Sequence, residues 1–171
     1  MGRILLFVLA LASICCSKGP VSQKMLPLSP EESQRLESQR NLVKQYLGDA
    51  DSLKKFESSA GKLGTIRALL ATGKFPAEKT HELQSMGVVL GDVFVQDLGF
   101  HWILVQDEFG TVPAIQYENT TIILYPLTMI SKRVEKGETV DIFDLYNGIA
   151  NIASEKIEQE TGRRPTSHNS M

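Results

Sequence analysis

The sequence is poor in the residue types that build disulfide-held or metal-held folds. Its 171 residues include two cysteines, Cys15 and Cys16, which are adjacent and close to the N-terminus. Neighbouring cysteines cannot join distant segments, so no disulfide framework is available and an apolar core must hold the fold. The three histidines, His81, His101 and His168, lack metal-binding spacing. We therefore expect neither a zinc site nor a cofactor.

The sequence also has no large excess of positive or negative charge and no long hydrophobic run. The formal net charge is −2 and the basic residues are scattered, which argues against a nucleic-acid partner. No apolar run approaches the roughly 20 residues of a transmembrane helix, so we expect no transmembrane span. Gly61 and Gly64 are not followed by the Lys-Ser/Thr pair of a phosphate-binding loop, and no serine-elbow motif is present. The length and the 42% hydrophobic content suit one globular domain.

The N-terminal segment has the pattern of a secretory signal peptide. Arg3 provides a positive start, residues 4–12 are apolar, and small residues dominate 13–17. This order of charge, apolar run and small residues is typical of exported proteins. We therefore predict a signal peptide over residues 1–17 and an exported protein, either periplasmic or secreted.

The paired cysteines raise lipid anchoring as an alternative. A bacterial lipoprotein signal has a small residue before the modified cysteine, whereas Ile14 precedes Cys15 and Cys15 precedes Cys16. The match is poor, so soluble export is favoured over a lipid anchor at Cys15 or Cys16.

Helical patterns dominate the first half of the remaining chain. Residues 18–28 are polar and contain proline, which predicts a linker. Ser29, Pro30 and Glu32 form a helix start with a capping box, and Gly48 ends that helix. Apolar spacing then predicts a second helix from Ser52 to about residue 72 and a third that opens at Pro76.

Glycines on the third helix indicate close packing. Gly87 and Gly91 lie one turn apart, where the lack of side chains lets another backbone approach. Their helix-propensity cost of about 1 kcal/mol each favours such a steric role. Gly99 suits the left-handed position just past the helix end.

The pattern then changes to strands and returns to helix. The β-favouring runs are Trp102–Val105, Pro113–Tyr117 and Thr120–Tyr125. Thr128 can cap a short helix, and Asp141 can cap a last one whose inward residues are Ile142, Leu145, Ile149, Ile152 and Ile157. The predicted fold class is α+β, with N-terminal helices, a three-stranded antiparallel meander, and C-terminal helices packed on one face of the sheet. The domain is predicted over residues 29–160 and a disordered tail over 161–171.

Five residues are candidates for a binding site. Asp107 and Glu108 occupy the predicted hairpin turn, where they act on a ligand or simply form a solvated turn. Lys132 and Arg133 follow the last strand and suit an anionic group. Their structural alternative is an ion pair with Asp107 or Glu108 that locks helix to hairpin. Trp102 is either a core residue or a ligand-stacking one.

Part of the chain resembles a known bacterial family. The segments that carry this resemblance are Gly87-Val88-Val89-Leu90-Gly91, Leu98-Gly99, Trp102 with Val105, Asp107-Glu108-Phe109-Gly110, Pro113-Ala114, and Pro126 to Glu135 with Gly137. Together they resemble the family catalogued as domain of unknown function 3806, over roughly Leu83 to Ala150. The resemblance implies a bacterial source and a shared helix–sheet–helix unit, and it implies no assigned activity. Its most characteristic positions include Asp107, Glu108, Lys132 and Arg133.

Two functional hypotheses follow. The first is a non-catalytic binding or interaction domain of the cell envelope, whose partner is another envelope protein and whose binding face uses the hairpin tip and Lys132–Arg133. The second is a small hydrolase or small-ligand-binding domain that uses Asp107 or Glu108 with Lys132 or Arg133 around a pocket.

Overall fold

A computed structural model describes residues 23–165. The predicted signal peptide, with Cys15 and Cys16, and residues 166–171 of the predicted tail lie outside this range. Within the described range no helix is long and apolar enough to cross a bilayer. The elements run in the order β1 (Lys24–Pro27), α1 (Pro30–Lys44), α2 (Ala50–Phe56), α3 (Ser59–Ala71), α4 (Thr80–Leu98), β2 (Phe100–Asp107), β3 (Gly110–Tyr117), β4 (Ile123–Leu124), α5 (Leu127–Glu135) and α6 (Ile142–Thr161).

The strands form one antiparallel sheet in the order β1-β2-β3-β4. In the β2–β3 hairpin, Trp102 pairs with Ile115 and Asp107 with Gly110. Ile115 also pairs with Leu124 of β4. The α+β class is confirmed, but the sheet has four strands among residues 23–165, where three were predicted.

The additional strand, β1, lies within the segment predicted as a linker. Met25 and Leu26 pair with Val105 and Leu104, and all four residues of β1 are exposed. With no buried face, the strand has no alternating pattern for sequence analysis to find. Pro27 is tolerated because β1 is an edge strand and needs to donate hydrogen bonds on one side only.

Helix α4 is the centre of the helical layer. Its buried residues meet those of α3, α5 and α6 and one face of the sheet, where Phe100, Ile115 and Tyr117 join the main core. Leu36 of α1 packs with Val88 and Leu127 in a smaller cluster. On the other face of the sheet, a separate cluster contains Ile103, Val105 and Ala114.

The steric role predicted for the α4 glycines is confirmed. A Cβ atom on Gly87 would lie 2.6 Å from the Pro126 carbonyl oxygen and 2.8 Å from the Leu127 Cα atom. One on Gly91 would lie 2.6 Å from the Trp102 ring. The two glycines therefore let α5 and β2 pack directly on the α4 backbone. Gly99 takes the predicted left-handed conformation, with φ 77°.

The prediction of one helix from Ser52 to about residue 72 is wrong, because this segment forms two helices, α2 and α3. Ser58 has an extended backbone and its Oγ accepts the Gly61 N–H, which starts α3 just after α2 ends. A Cβ atom on Gly61 would collide with the Lys55 carbonyl. Gly61 therefore permits the sharp corner between α2 and α3 instead of merely weakening a continuous helix.

Three further boundaries differ from prediction because of local hydrogen bonding. Helix α4 begins at Thr80, after a turn in which the Lys79 N–H bonds to the Pro76 carbonyl. Strand β4 is short because the Thr120 hydroxyl bonds to the Tyr117 carbonyl and accepts from the Ile122 N–H. Thr128 lies inside α5, whose N-cap is Pro126. Asp141 caps α6 as predicted, accepting the N–H groups of Phe143 and Asp144.

A carboxylate on α4 ties three helices together. Asp97 accepts hydrogen bonds from the Ser59 hydroxyl of α3 and, at 2.7 Å, from the Tyr146 hydroxyl of α6. Burial, followed by this bond to Asp97, raises the pKa of the Tyr146 phenol. The folded protein therefore keeps the neutral phenol at pH values where an unfolded chain, with a tyrosine pKa of about 10, ionises it.

This pKa difference predicts a loss of stability at alkaline pH. The stabilisation from neutral Tyr146 is present below about pH 10 and is lost as the pH rises above it. The Tyr146→Phe variant should be less stable near neutral pH, but its free energy of unfolding should fall less steeply above pH 10. The slopes should differ by up to about 1.4 kcal/mol per pH unit. Urea unfolding between pH 8 and 11 measures both slopes, and parallel slopes would contradict the assignment.

Candidate functional site

Asp107 and Glu108 lie at the tip of the β2–β3 hairpin. The Asp107 carboxylate accepts the N–H of Phe109 at 2.8 Å, which closes the turn. Glu108 is exposed, and Phe109 beside it is 78% exposed. The tip is thus a solvated turn, and neither carboxylate lines the cavities of about 430 and 620 Å³ described below.

Trp102 is held by the core. Its indole N–H donates to Asp92 of α4 at 3.0 Å, and its ring lies against Gly91. Asp92 also binds Arg40 of α1 through two hydrogen bonds of 2.7 and 2.8 Å. The bond to Asp92 is the first cause of the raised pKa of the Arg40 guanidinium. This cluster connects α1, α4 and β2, and its geometry is that of a structural joint.

Lys132 and Arg133 lie in the last turn of α5. Lys132 is exposed, whereas Arg133 is half-buried and donates one of its N–H groups to the Met129 carbonyl at 2.7 Å. Among residues 23–165, no salt bridge involves either side chain. The ion pair with Asp107 or Glu108 that sequence analysis offered is therefore not formed.

The hairpin carboxylates and the α5 cations do not share a site. Asp107 pairs with Gly110, which lies five residues along β3 from Ile115, the partner of Leu124 in β4. At about 3.3 Å per residue, the tip is roughly 17 Å from the level of β4. Lys132 and Arg133 instead face β4 and Tyr125, where they line a cavity.

This cavity is one end of a groove along β4. It has a volume of about 430 Å³ and adjoins a second cavity of about 620 Å³, since Ile123, Leu124 and Met129 line both. We call the whole feature the β4 groove. Its apolar end is lined by Ile122, Leu124, Met129, Ile149, Ile152 and Ala153, and its basic end by Lys132, Arg133 and Lys136.

The outer edge of β4 borders the groove with unpaired backbone. The Ile122 carbonyl accepts the Tyr117 N–H at 3.1 Å, so Ile122 faces β3. Because successive residues of a strand direct their backbone groups to opposite sides, the N–H and C=O of Ile123 point away from β3. Within the described chain, no strand pairs with this edge. The groove therefore combines an apolar floor with backbone groups able to pair with an added strand.

One residue of the groove corrects a sequence prediction. Ile152 was predicted to face inward with the other apolar residues of α6, but it is 57% exposed. It stands on the rim of the apolar end, beyond half-buried Ile149 and buried Ala153. Ile152 follows Ile149 at the spacing of an inward residue, so the sequence pattern could not distinguish this groove residue from the core.

Residues 23–165 form an α+β domain with an antiparallel sheet, and the helices of this range pack on one face of that sheet. Comparison with known families matches residues 62–146 to the family described as domain of unknown function (DUF3806). The resemblance seen in the sequence is thereby confirmed for this segment. The matched range also takes in most of α3, which the resemblance had left outside, and it ends within α6.

A solved structure has a similar fold. It is a crystal structure from Bacteroides thetaiotaomicron VPI-5482, with a TM-score of 0.62 and 18% sequence identity over 76% of this chain. This chain spans about half of that protein, 48% of its length. At this identity the likeness concerns the fold alone. No curated protein matches the chain.

Proposed function

We propose that this protein is an exported, non-catalytic binding domain of the bacterial cell envelope, and that its β4 groove binds an extended segment of a partner protein. The partner segment adds a strand to the outer edge of β4 and inserts alternate side chains into the apolar end of the groove. Peptide recognition by strand addition takes its affinity from backbone hydrogen bonds and its specificity from side-chain pockets.

The observation that carries this proposal is the position of the groove beside an unpaired strand edge. An open edge next to an apolar surface invites pairing, which proteins otherwise block with charge, proline or a covering element. Although β4 is only two residues long, Ile123 and Leu124 carry no charge and no proline, and the apolar side chains of Met129, Ile149 and Ile152 lie alongside. A second strand placed there would pair its backbone and bury Ile152 at once.

Support for export and for a bacterial envelope location comes from the sequence. The charged, apolar and small-residue order of residues 1–17 favours secretion. The family resemblance favours a bacterial source. Soluble periplasmic or secreted protein is favoured over a lipid anchor, because the residues before Cys15 and Cys16 do not fit a lipoprotein signal.

The competing proposal of a small hydrolase loses its main motivation. It required Asp107 or Glu108 to act with Lys132 or Arg133, but the hairpin tip lies roughly 17 Å along the sheet from the level of β4, beside which Lys132 and Arg133 lie. Binding of a small apolar ligand has one observation in its favour, since the 620 Å³ cavity falls within the range of about 300–1,000 Å³ that such sites occupy. Binding of a small apolar ligand is therefore included as an alternative outcome in the peptide-binding experiments below.

A selection from random dodecapeptides displayed on phage tests the proposal, followed by titration of the best synthetic peptides. The Ile152→Asp variant should bind them at least ten-fold more weakly, because an apolar side chain that becomes buried contributes about 1.5–3 kcal/mol. Leu53→Asp is the matched control. It changes another exposed leucine-sized residue, 42% exposed and on α2, and should leave the affinity unchanged.

Backbone pairing is tested separately at Ile123. Ile123→Pro removes the outward N–H, while Ile123→Ala shortens the side chain and keeps that N–H. The proline variant should bind at least ten-fold more weakly than the alanine variant, because proline cannot donate to an added strand. Equal binding by both variants would contradict strand addition. Selection of no peptide, with decanoate raising the melting temperature of the wild type and not of Ile152→Asp, would contradict the peptide proposal in favour of a small ligand.

A further inference from the structure

We propose that the segment bound in the β4 groove is acidic at one end of its apolar stretch, and that Lys132, Arg133 and Lys136 recognise those acidic residues. This inference rests on the proposed function and adds the chemistry of the partner to it.

The first support is the unequal charge along the groove. Lys132, Arg133 and Lys136 line its basic end together with one carboxylate, Glu138. Among the described residues, none of the three cations forms a salt bridge. This end therefore carries a net positive charge that an acidic side chain of a ligand can neutralise.

The apolar end has no such imbalance. Lys156 and Glu160 both line it, so their charges offset each other. Glu160 is also already engaged, since its two carboxylate oxygens accept the N–H and the hydroxyl of Thr121, each at 2.9 Å. Acidic residues of the ligand are consequently attracted electrostatically to the basic end and not to the apolar end.

Arg133 is suited to a directed contact. The 2.7 Å bond to the Met129 carbonyl uses one N–H of the guanidinium and holds it over the groove lining. A guanidinium has five N–H donors, so most remain able to bind a carboxylate. A purely structural role also exists, because cations in the last turn of a helix stabilise its dipole. The test must therefore measure something other than stability.

The direction of the added strand follows from the sheet. All of its strand pairs are antiparallel. The basic end of the groove lies beyond the C-terminal end of β4, next to Tyr125. An antiparallel partner strand therefore places its N-terminal residues there, so that the acidic residues precede the apolar ones.

The experiment uses synthetic decapeptides, acetylated and amidated at their ends. One series places two glutamates before alternating valine and threonine residues, and the others replace the glutamates with glutamines or lysines. Each is also made in reversed order. The glutamate peptide should bind at least ten-fold more tightly than the lysine peptide, with a preference that weakens as the salt concentration rises, because salt screens exposed charges.

Charge reversal distinguishes ligand recognition from a purely structural role, because only recognition predicts a changed preference between the glutamate and lysine peptides. The Lys132→Glu/Arg133→Glu variant should prefer the lysine peptide. Lys54→Glu/Lys55→Glu, the adjacent basic pair in the last turn of α2, is the matched control and should keep the preference for glutamate. Equal binding of the three charge types in both orders, with Ile152→Asp still weakening them all, would overturn the acidic preference and leave the groove proposal standing. Binding that is insensitive to Ile152→Asp as well would overturn both.

Discussion

Replacing Gly87 with alanine should destabilise the protein by about 2–3 kcal/mol. The new Cβ atom would lie within 2.6–2.8 Å of backbone atoms of Pro126 and Leu127, which cannot move away as a flexible side chain can. The start of α5 would have to shift from α4, and the close packing between these helices would be lost. Urea-induced unfolding measures the change in free energy.

Gly64→Ala is the matched control for Gly87→Ala. Gly64 also lies in a helix, α3, but a Cβ atom there would meet nothing within 4 Å. Alanine at this position should therefore stabilise the protein by about 0.5–1 kcal/mol through helix propensity. If the two variants changed stability by the same amount, the close contact between α4 and α5 would not be what requires Gly87.

Asp92→Ala should lower the free energy of unfolding by about 2–3 kcal/mol. The reason is that Asp92 accepts hydrogen bonds from two side chains, and both would lose their acceptor. Arg40 and Asp92 are 21% and 17% exposed, so the Arg40 guanidinium would lose its main partner while largely shielded from water. The Trp102 N–H would also lose its acceptor. Thermal and urea unfolding should both report the loss.

Glu37→Ala separates this effect from a general loss of negative charge near Arg40. Glu37 binds the same guanidinium at 3.3 Å, but it is 53% exposed. Its removal should cost less than about 1 kcal/mol, as is usual for an exposed pair. A loss as large as that of Asp92→Ala would show that burial of the Asp92 pair is not decisive.

The parts of the fold that were predicted correctly are those that short sequence patterns specify. Ser29 caps α1 and accepts the N–H of Glu32 at 3.2 Å, as the sequence indicated, although the Glu32 carboxylate binds Arg35 instead of completing the capping box. Asp141 caps α6 for the same local reason. Gly87 and Gly91 could be assigned a packing role because a helix bears the cost of two glycines only where something approaches closely.

The parts that were missed depend on contacts between distant segments. Strand β1 exists because it pairs with β2, some 80 residues later in the chain, and its own residues show no buried face. The site is similar: Lys132 and Arg133 could be chosen by chemistry, but their neighbours on β4 and α6 are set by how those elements pack. Asp107 and Glu108 were grouped with them because the sequence does not show that the hairpin carries its tip roughly 17 Å beyond the level of β4.

Amide hydrogen exchange at Ile123, measured with and without a saturating peptide from the selection, tests strand addition at the β4 groove most directly. The Ile123 N–H points outward from the sheet, so an added strand should accept a hydrogen bond from it and slow its exchange at least ten-fold. The Leu124 N–H faces β3 and should change much less. Unchanged exchange at Ile123 in the saturated complex would contradict binding along the edge of β4.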